Sequence, residues 1–117
     1  MTLKQIAELL HAQVLNPTCD MGIEVNSAIA SDLMSDVLIF NQPASLLVTG
    51  LTNNQVVRTC EIAGITAILF VRNKMPTPET IQLSGEHNLP IFLTRSTMFE
   101  ACGILYAHGI TGLTIKV

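Results

Sequence analysis

Arg72, Lys74 and Arg95 are three of the six basic residues in this 117-residue chain. Each falls within three residues of the end of a short apolar run. Thr49, Gly50 and Thr52 follow a third run of the same kind, and Ser96 follows Arg95. Cations and hydroxyls at loops that open helices suit an anion, because the first N–H groups of a helix point outward with partial positive charge. A phosphate or a nucleotide phosphate is the natural candidate, with Gly50 allowing close backbone approach. The same threonines also serve as helix caps. Whether these loops meet depends on a strand order that local patterning does not show.

A second polar cluster comprises Ser27, Ser31, Asp32, Ser35 and Asp36. Ser31 or Asp32 can cap a short helix that follows. Alternatively, Asp32 or Asp36 shares an edge with the basic loops and contacts a ligand or a partner. The histidines, His11, His87 and His108, fall at or near expected helix C-termini, where a cation meets the macrodipole favourably. None has a Ser, Cys or Asp at a spacing that marks a nucleophile system. Glu61, Glu79, Glu86 and Glu100 lie on expected helices and read as solvated faces or caps. Cys19, Cys60 and Cys102 are too widely spaced for a zinc site or a disulfide framework, so no metal is expected. Phosphate-loop, dinucleotide-fingerprint and nucleophile-elbow motifs are all missing. No catalytic residue and no cofactor is assigned.

The elements that must carry these residues are marked by their caps. Thr2-Leu3-Lys4-Gln5 has the capping-box form, with Leu3, Ile6, Leu9 and Leu10 at helical spacing behind it. Thr52-Asn53-Asn54-Gln55 repeats that signal, and Gly64 offers a stop. Thr77-Pro78-Glu79 reads as a cap with proline at the first helical position, and Thr97-Met98-Phe99-Glu100 opens a helix ending near Gly109. A shorter helix is expected over Leu33–Phe40. Between the helices lie Leu46–Thr49, Thr66–Val71 and Pro90–Thr94, each too short for a helix and apolar throughout, as strands covered on both faces are. Val25–Ala30 and Gly112–Val117 read as further strands, and Gln13–Asn16 as an edge strand. Alternation of strand and helix predicts right-handed crossovers and a mainly parallel sheet of about five strands in a three-layer α/β/α domain. No linker or repeat divides residues 1–117.

Composition bounds the rest. The chain is 49% hydrophobic and 13% charged with a net charge of −3, which excludes disorder. Six Lys and Arg without a cluster exclude a nucleic-acid footprint. The longest apolar runs fall well short of the roughly 18 residues of a membrane span, and the N-terminus lacks the plan of a signal peptide. A soluble, cytoplasmic protein is expected. Few charges are left to cover its surface, so self-association is expected as well.

Several local strings carry a family resemblance. They are Leu46-Leu47-Val48-Thr49-Gly50, Ala67-Ile68-Leu69-Phe70-Val71-Arg72, Leu89-Pro90-Ile91-Phe92-Leu93-Thr94 and Thr97-Met98-Phe99-Glu100-Ala101. Ile6–Leu10 with Gln13-Val14-Leu15, and Ala28–Asp32, complete them. In this order the chain resembles the DRTGG domain, a module related to the amino-terminal domain of HPr kinase/phosphorylase, and more remotely the amino-terminal domains of Mur ligases. The family is named for a Gly-Asp-Arg segment after one strand and a Thr-Gly-Gly segment after the next. Here Gly50-Leu51-Thr52-Asn53 and Val71-Arg72-Asn73 stand at those places, so Gly50 matches and the remaining letters do not. The resemblance implies a regulatory rather than catalytic module that pairs with itself. It also implies a nucleotide or another phosphorylated metabolite as ligand.

The first expectation is therefore a homodimeric regulatory module sensing a small anion through Thr49, Gly50, Thr52, Arg72, Lys74, Arg95 and Ser96, with Ser31 and Asp32 as a possible second cluster. The alternative is an adaptor without a small-molecule ligand that docks on a partner enzyme or kinase. An enzyme without a readable motif is the third.

Overall fold

Leu46–Thr49 (β3), Ala67–Phe70 (β4) and Ile91–Leu93 (β5) are buried at every position, as befits strands covered on both sides. The structure, a computed structural model, describes residues 1–17, 19–40 and 43–114. Around these strands run α1 (Leu3–Leu9), β1 (Gln13–Val14), β2 (Ser27–Ala30), α2 (Met34–Val37), α3 (Asn54–Ala63), α4 (Pro78–Glu86), α5 (Met98–Ala107) and β6 (Thr111–Gly112). The sheet order is β1-β5-β4-β3-β2-β6. All neighbours are parallel except β1, which pairs antiparallel with β5 along the edge. Gln13–Asn16 thus supplies a short edge strand, which brings the sheet to six strands. The last expected strand, Gly112–Val117, is seen as Thr111–Gly112, and residues 115–117 lie outside the described residues.

Alternate side chains of each strand feed two cores, the period-2 consequence of the pleat. Leu46, Val48, Ala67, Leu69 and Phe92 pack with Leu3 and Ile6 of α1 and Ala101 and Leu105 of α5. Leu47, Ile68, Phe70, Ile91 and Leu93 pack with Met34 and Val37 of α2 and Val56, Val57 and Cys60 of α3. Ile81 and Leu83 of α4 join this second core. The result is three layers. Its handedness explains the split. Steps from β2 to β5 all run one way along the sheet, so right-handed crossovers put α2, α3 and α4 on one face. The return from β5 to β6 runs the other way and puts α5 on the opposite face.

The caps set where the helices begin. Thr2 and Gln5 form the expected box, Thr77 caps α4 ahead of Pro78, and Thr97 accepts from the Glu100 N–H. Gly64, left-handed at φ 73°, stops α3. Two expected starts shift. For α3 the cap is Asn53, whose side chain accepts from the Gln55 N–H at 3.1 Å, and not Thr52. Asparagine is at least as good a cap as threonine, so the helix opens one residue later. The short helix after β2 is a single turn, Met34–Val37, with Leu33 at its N-cap and no side-chain cap. Ser31 Oγ instead takes the Leu33 N–H at 3.0 Å, and Asp32 points elsewhere.

Candidate functional site

Because β2, β3, β4 and β5 are parallel, the segments beyond their carboxyl ends share one edge of the sheet. Asp32, Thr49–Thr52, Val71–Lys74 and Thr94–Ser96 all stand there. Asp32 is the hub. Its Oδ1 accepts from the Gly50 N–H at 2.7 Å and from the buried Thr49 hydroxyl at 3.0 Å. Thr49 Oγ1 in turn accepts from the Leu51 N–H at 3.1 Å. The other carboxylate oxygen, Oδ2, lies 3.9 Å from Arg72 Nη2.

The Arg72 guanidinium lies against the Gly50 backbone. A Cβ on residue 50 would stand 2.3 Å from Nη2 and 3.1 Å from Cζ, so the absence of a side chain lets the cation settle there. Glycine serves close approach here, as expected, but the group approaching it is a side chain of the same protein. About half of each side chain remains exposed, 51% for Arg72 and 53% for Asp32. An ion pair of that length and exposure contributes no more than about 1 kcal/mol, so an incoming anion can take Arg72 over.

The β4–α4 connection is shaped by two left-handed residues in succession, Arg72 at φ 59° and Asn73 at φ 54°. Lys74 N–H closes the turn on Val71 O at 3.2 Å, the arrangement of primed hairpin turns. Asparagine adopts this conformation readily; arginine does so at a cost of about 1 kcal/mol. The cost is offset by backbone bonds across to the next loop, Arg72 N–H to Ser96 O and Asn73 N–H to Thr94 O, both 2.8 Å. Thr94 anchors that loop. It is 1% exposed, its hydroxyl donates to Leu10 O at 2.9 Å, and its oxygen accepts from the Ser96 N–H at 3.3 Å.

These bonds matter for where a ligand fits. In open parallel sheets the binding crevice opens where neighbouring connections leave for opposite faces. Here that point lies between β4, which leads to α4, and β5, which leads to α5. The Arg72–Ser96 and Asn73–Thr94 bonds span it. The free part of the rim is the adjoining stretch over β2, β3 and β4, where Asp32, Gly50 and Arg72 meet. Glu79 and Glu100 occupy the first turns of α4 and α5. The first turn of α3 carries no acid of its own, but Asn53 caps it and the Glu79 carboxylate is held against it. Asn54 ties it to α4, donating to Glu79 Oε1 at 3.0 Å and accepting from the Thr80 hydroxyl at 2.6 Å.

Thr49, Gly50, Arg72 and Asp32 are therefore brought into contact. Lys74 and Arg95 are exposed in the two loops joined by the backbone bonds, and among the described residues neither makes an ion pair. Thr52 is half-buried between Gly50 and the Asn53 cap. Ser96 contributes its backbone to the zipped seam. Ser27 stands at the opposite, amino end of β2 and does not join the rim. Asp32 stands on the rim, the alternative the sequence offers beside a cap; its closeness to Gly50 follows from β2–β3 pairing, which no local string reveals. The histidines sit at the helix ends. His87 pairs with Glu61 at 2.6 Å, and His108 Nδ1 contacts Ile104 O at 2.8 Å. Burial pushes the Cys60 thiol up to about 12 and raises Cys19 and Cys102 in the same direction. None of the three is poised as a thiolate. Among the described residues no three His, Cys, Asp or Glu side chains gather as a metal site, and no helix is long and apolar enough to cross a membrane.

A solved structure carries the same fold. The chain superposes on the CBS and DRTGG domains of the regulatory region of Clostridium perfringens pyrophosphatase, complexed with its activator diadenosine tetraphosphate. The TM-score is 0.73 at 15% identity, over 89% of this chain and 45% of that one. The likeness establishes a DRTGG-like fold, and the chain spans under half the length of that neighbour. No family model matches the chain, and no curated protein does.

Proposed function

We propose that this chain is a non-catalytic regulatory module, homodimeric and cytoplasmic, that binds a nucleotide or another phosphorylated metabolite at the carboxyl edge of its sheet. The observation that carries the reading is the half-exposed Arg72 guanidinium lying on Gly50, held by a single long pairing to Asp32. Lys74 and Arg95 on the adjoining loops would add charge around the same rim, with Thr49, Thr52 and Ser96 lining it. A phosphate placed there meets a bidentate donor in Arg72. The pyrophosphatase regulatory region, complexed with a dinucleoside polyphosphate activator, supports a nucleotide as the ligand. Three free cysteines fit a reducing compartment.

Thermal unfolding in the presence of ATP, inorganic pyrophosphate and diadenosine tetraphosphate tests this. A ligand at a hundred times its Kd adds about 2.7 kcal/mol to the folded state. The midpoint should rise with at least one of them, and Arg72→Ala together with Arg95→Ala should abolish the rise. A rise that survives both substitutions places the ligand elsewhere.

The adaptor alternative keeps one observation in its favour. Leu33, Leu38 and Ile39 around α2 are all roughly half exposed, an apolar surface that a partner enzyme could cover. No response to any of the three ligands, with a partner bound in a way that Leu38→Asp and Ile39→Asp disrupt, selects that reading.

A further inference from the structure

On the face of the sheet that α5 covers, β2 presents only alanines, Ala28 and Ala30, where the neighbouring strand presents Leu46 and Val48. Helix α5 packs over β3, and β6 ends at Gly112, level with Ala28. Among the described residues no large side chain fills the corner between α5, β2 and β6, and a cavity of about 340 Å³ opens there. Ala28, Ala30 and Val48 form its floor, and Leu105 and Tyr106 of α5 stand with Leu113 around it. That volume is more than twice the roughly 150 Å³ that holds a benzene ring. Apolar walls with an aromatic side chain are the lining that small-molecule pockets favour.

The cavity adjoins the rim. Ala30 stands two residues before Asp32 and Val48 two before Gly50, about 7 Å along a strand. Sheet order completes the alignment. Strands β4, β3, β2 and β6 are successive neighbours, and they bring Arg72, Gly50, Asp32 and the cavity to the edge in that sequence. We propose that rim and cavity form one site for a nucleotide, with its phosphates on Arg72 and its base in the cavity beside Tyr106. The sugar then passes Asp32. The assignment rests on the rim reading and extends it from phosphate to base. A bare phosphate leaves the cavity unused, and a purely apolar molecule leaves Arg72 unused; a ligand charged at one end and aromatic at the other engages both. Tyr106 keeps 74% of its surface exposed, and stacking against a base covers such a ring without demanding one particular base.

Titration calorimetry on the full chain with ADP, UDP and inorganic pyrophosphate, which carry the same pair of phosphates, tests the assignment. At least one nucleotide should bind about tenfold or more tightly than pyrophosphate, the gain that stacking a base on an aromatic side chain supplies. Tyr106 is the only tyrosine in a chain without tryptophan, so its fluorescence lifetime reports on the cavity directly. The nucleotide should change that lifetime and pyrophosphate should not. Ala30→Leu, at an exposed position that spares the fold, and Ala28→Leu, deeper in the floor, both fill the cavity. Each should lower the nucleotide's affinity to that of pyrophosphate and leave pyrophosphate binding unchanged, while Arg72→Ala should weaken both ligands. Pyrophosphate bound as tightly as either nucleotide, with the Tyr106 lifetime constant, overturns the cavity and leaves the rim reading standing. A nucleotide that perturbs Tyr106 yet is indifferent to Arg72→Ala overturns the joint site. Binding of none of the three overturns the rim reading and this inference with it.

Discussion

Two seams lie side by side on the same edge of this sheet, and they are built in opposite ways. At the β4–β5 seam, backbone meets backbone. Arg72 and Asn73 donate to Ser96 and Thr94 at 2.8 Å, and a buried threonine hydroxyl pins the loop to the end of α1. At the β3–β4 seam, side chain meets backbone. Arg72 rests on Gly50, Asp32 holds the Gly50 N–H, and the two charges face solvent. Strand topology alone points a ligand to the first seam. The hydrogen-bond ledger points it to the second, because groups already satisfied by short backbone bonds are costly to release, whereas exposed charges 3.9 Å apart are not. Arg72 belongs to both: its backbone closes one seam and its side chain furnishes the other.

The comparison can be broken first at the closed seam. Thr94→Val preserves shape and removes the hydroxyl, leaving Leu10 O and the Ser96 N–H without their partner. Burying such groups unpaired costs about 1–3 kcal/mol, so the thermal midpoint should fall by about 5 °C or more. An unchanged midpoint in calorimetry would show the seam to be soft, and the usual crevice would again compete as the ligand site. The double role of Arg72 is separated next by Arg72→Gly. Glycine keeps the left-handed turn and relieves about 1 kcal/mol of strain, against a similar loss from the freer unfolded chain and a minor one from the ion pair. Denaturant unfolding should place stability within about 1 kcal/mol of the wild type while ligand-induced stabilisation disappears. A loss of several kcal/mol would make the guanidinium a structural group.

How much of this was readable from residues divides along the same line. The elements were legible because their signals are local. Thr2, Thr77 and Thr97 cap the helices they were expected to cap, Gly64 ends α3, and three apolar runs became the three central strands. The basic loops were assigned to one edge from strand–helix alternation alone, and Arg72 with Gly50 and Thr49 do meet there. What stayed hidden depends on pairing between distant segments. Asp32 looks like a cap because it stands just ahead of a helix; only β2 lying against β3 turns it toward Gly50. Thr52 looks like a cap for the same local reason, and Asn53, one residue on, competes for the role with equal chemistry. The closed β4–β5 seam needs a left-handed Arg72, which no propensity suggests for arginine.

Asp32 offers the finest test of the open seam. Its carboxylate neutralises the cation that an anionic ligand needs, yet its Oδ1 also orders Gly50 through two donors. Asp32→Asn separates these effects, since the amide oxygen can still accept from the Gly50 N–H and the Thr49 hydroxyl while the charge is gone. If anion binding proceeds by taking Arg72 from Asp32, the substitution removes a competitor worth up to about 1 kcal/mol. Titration calorimetry should then show affinity for pyrophosphate rising by a few-fold, with the gain shrinking at high salt as surface electrostatics are screened. Weaker binding would instead make the carboxylate a direct acceptor for the ligand, a ribose hydroxyl being the obvious donor. In that case the rim would select nucleotides over bare phosphates by Asp32 rather than merely tolerating it.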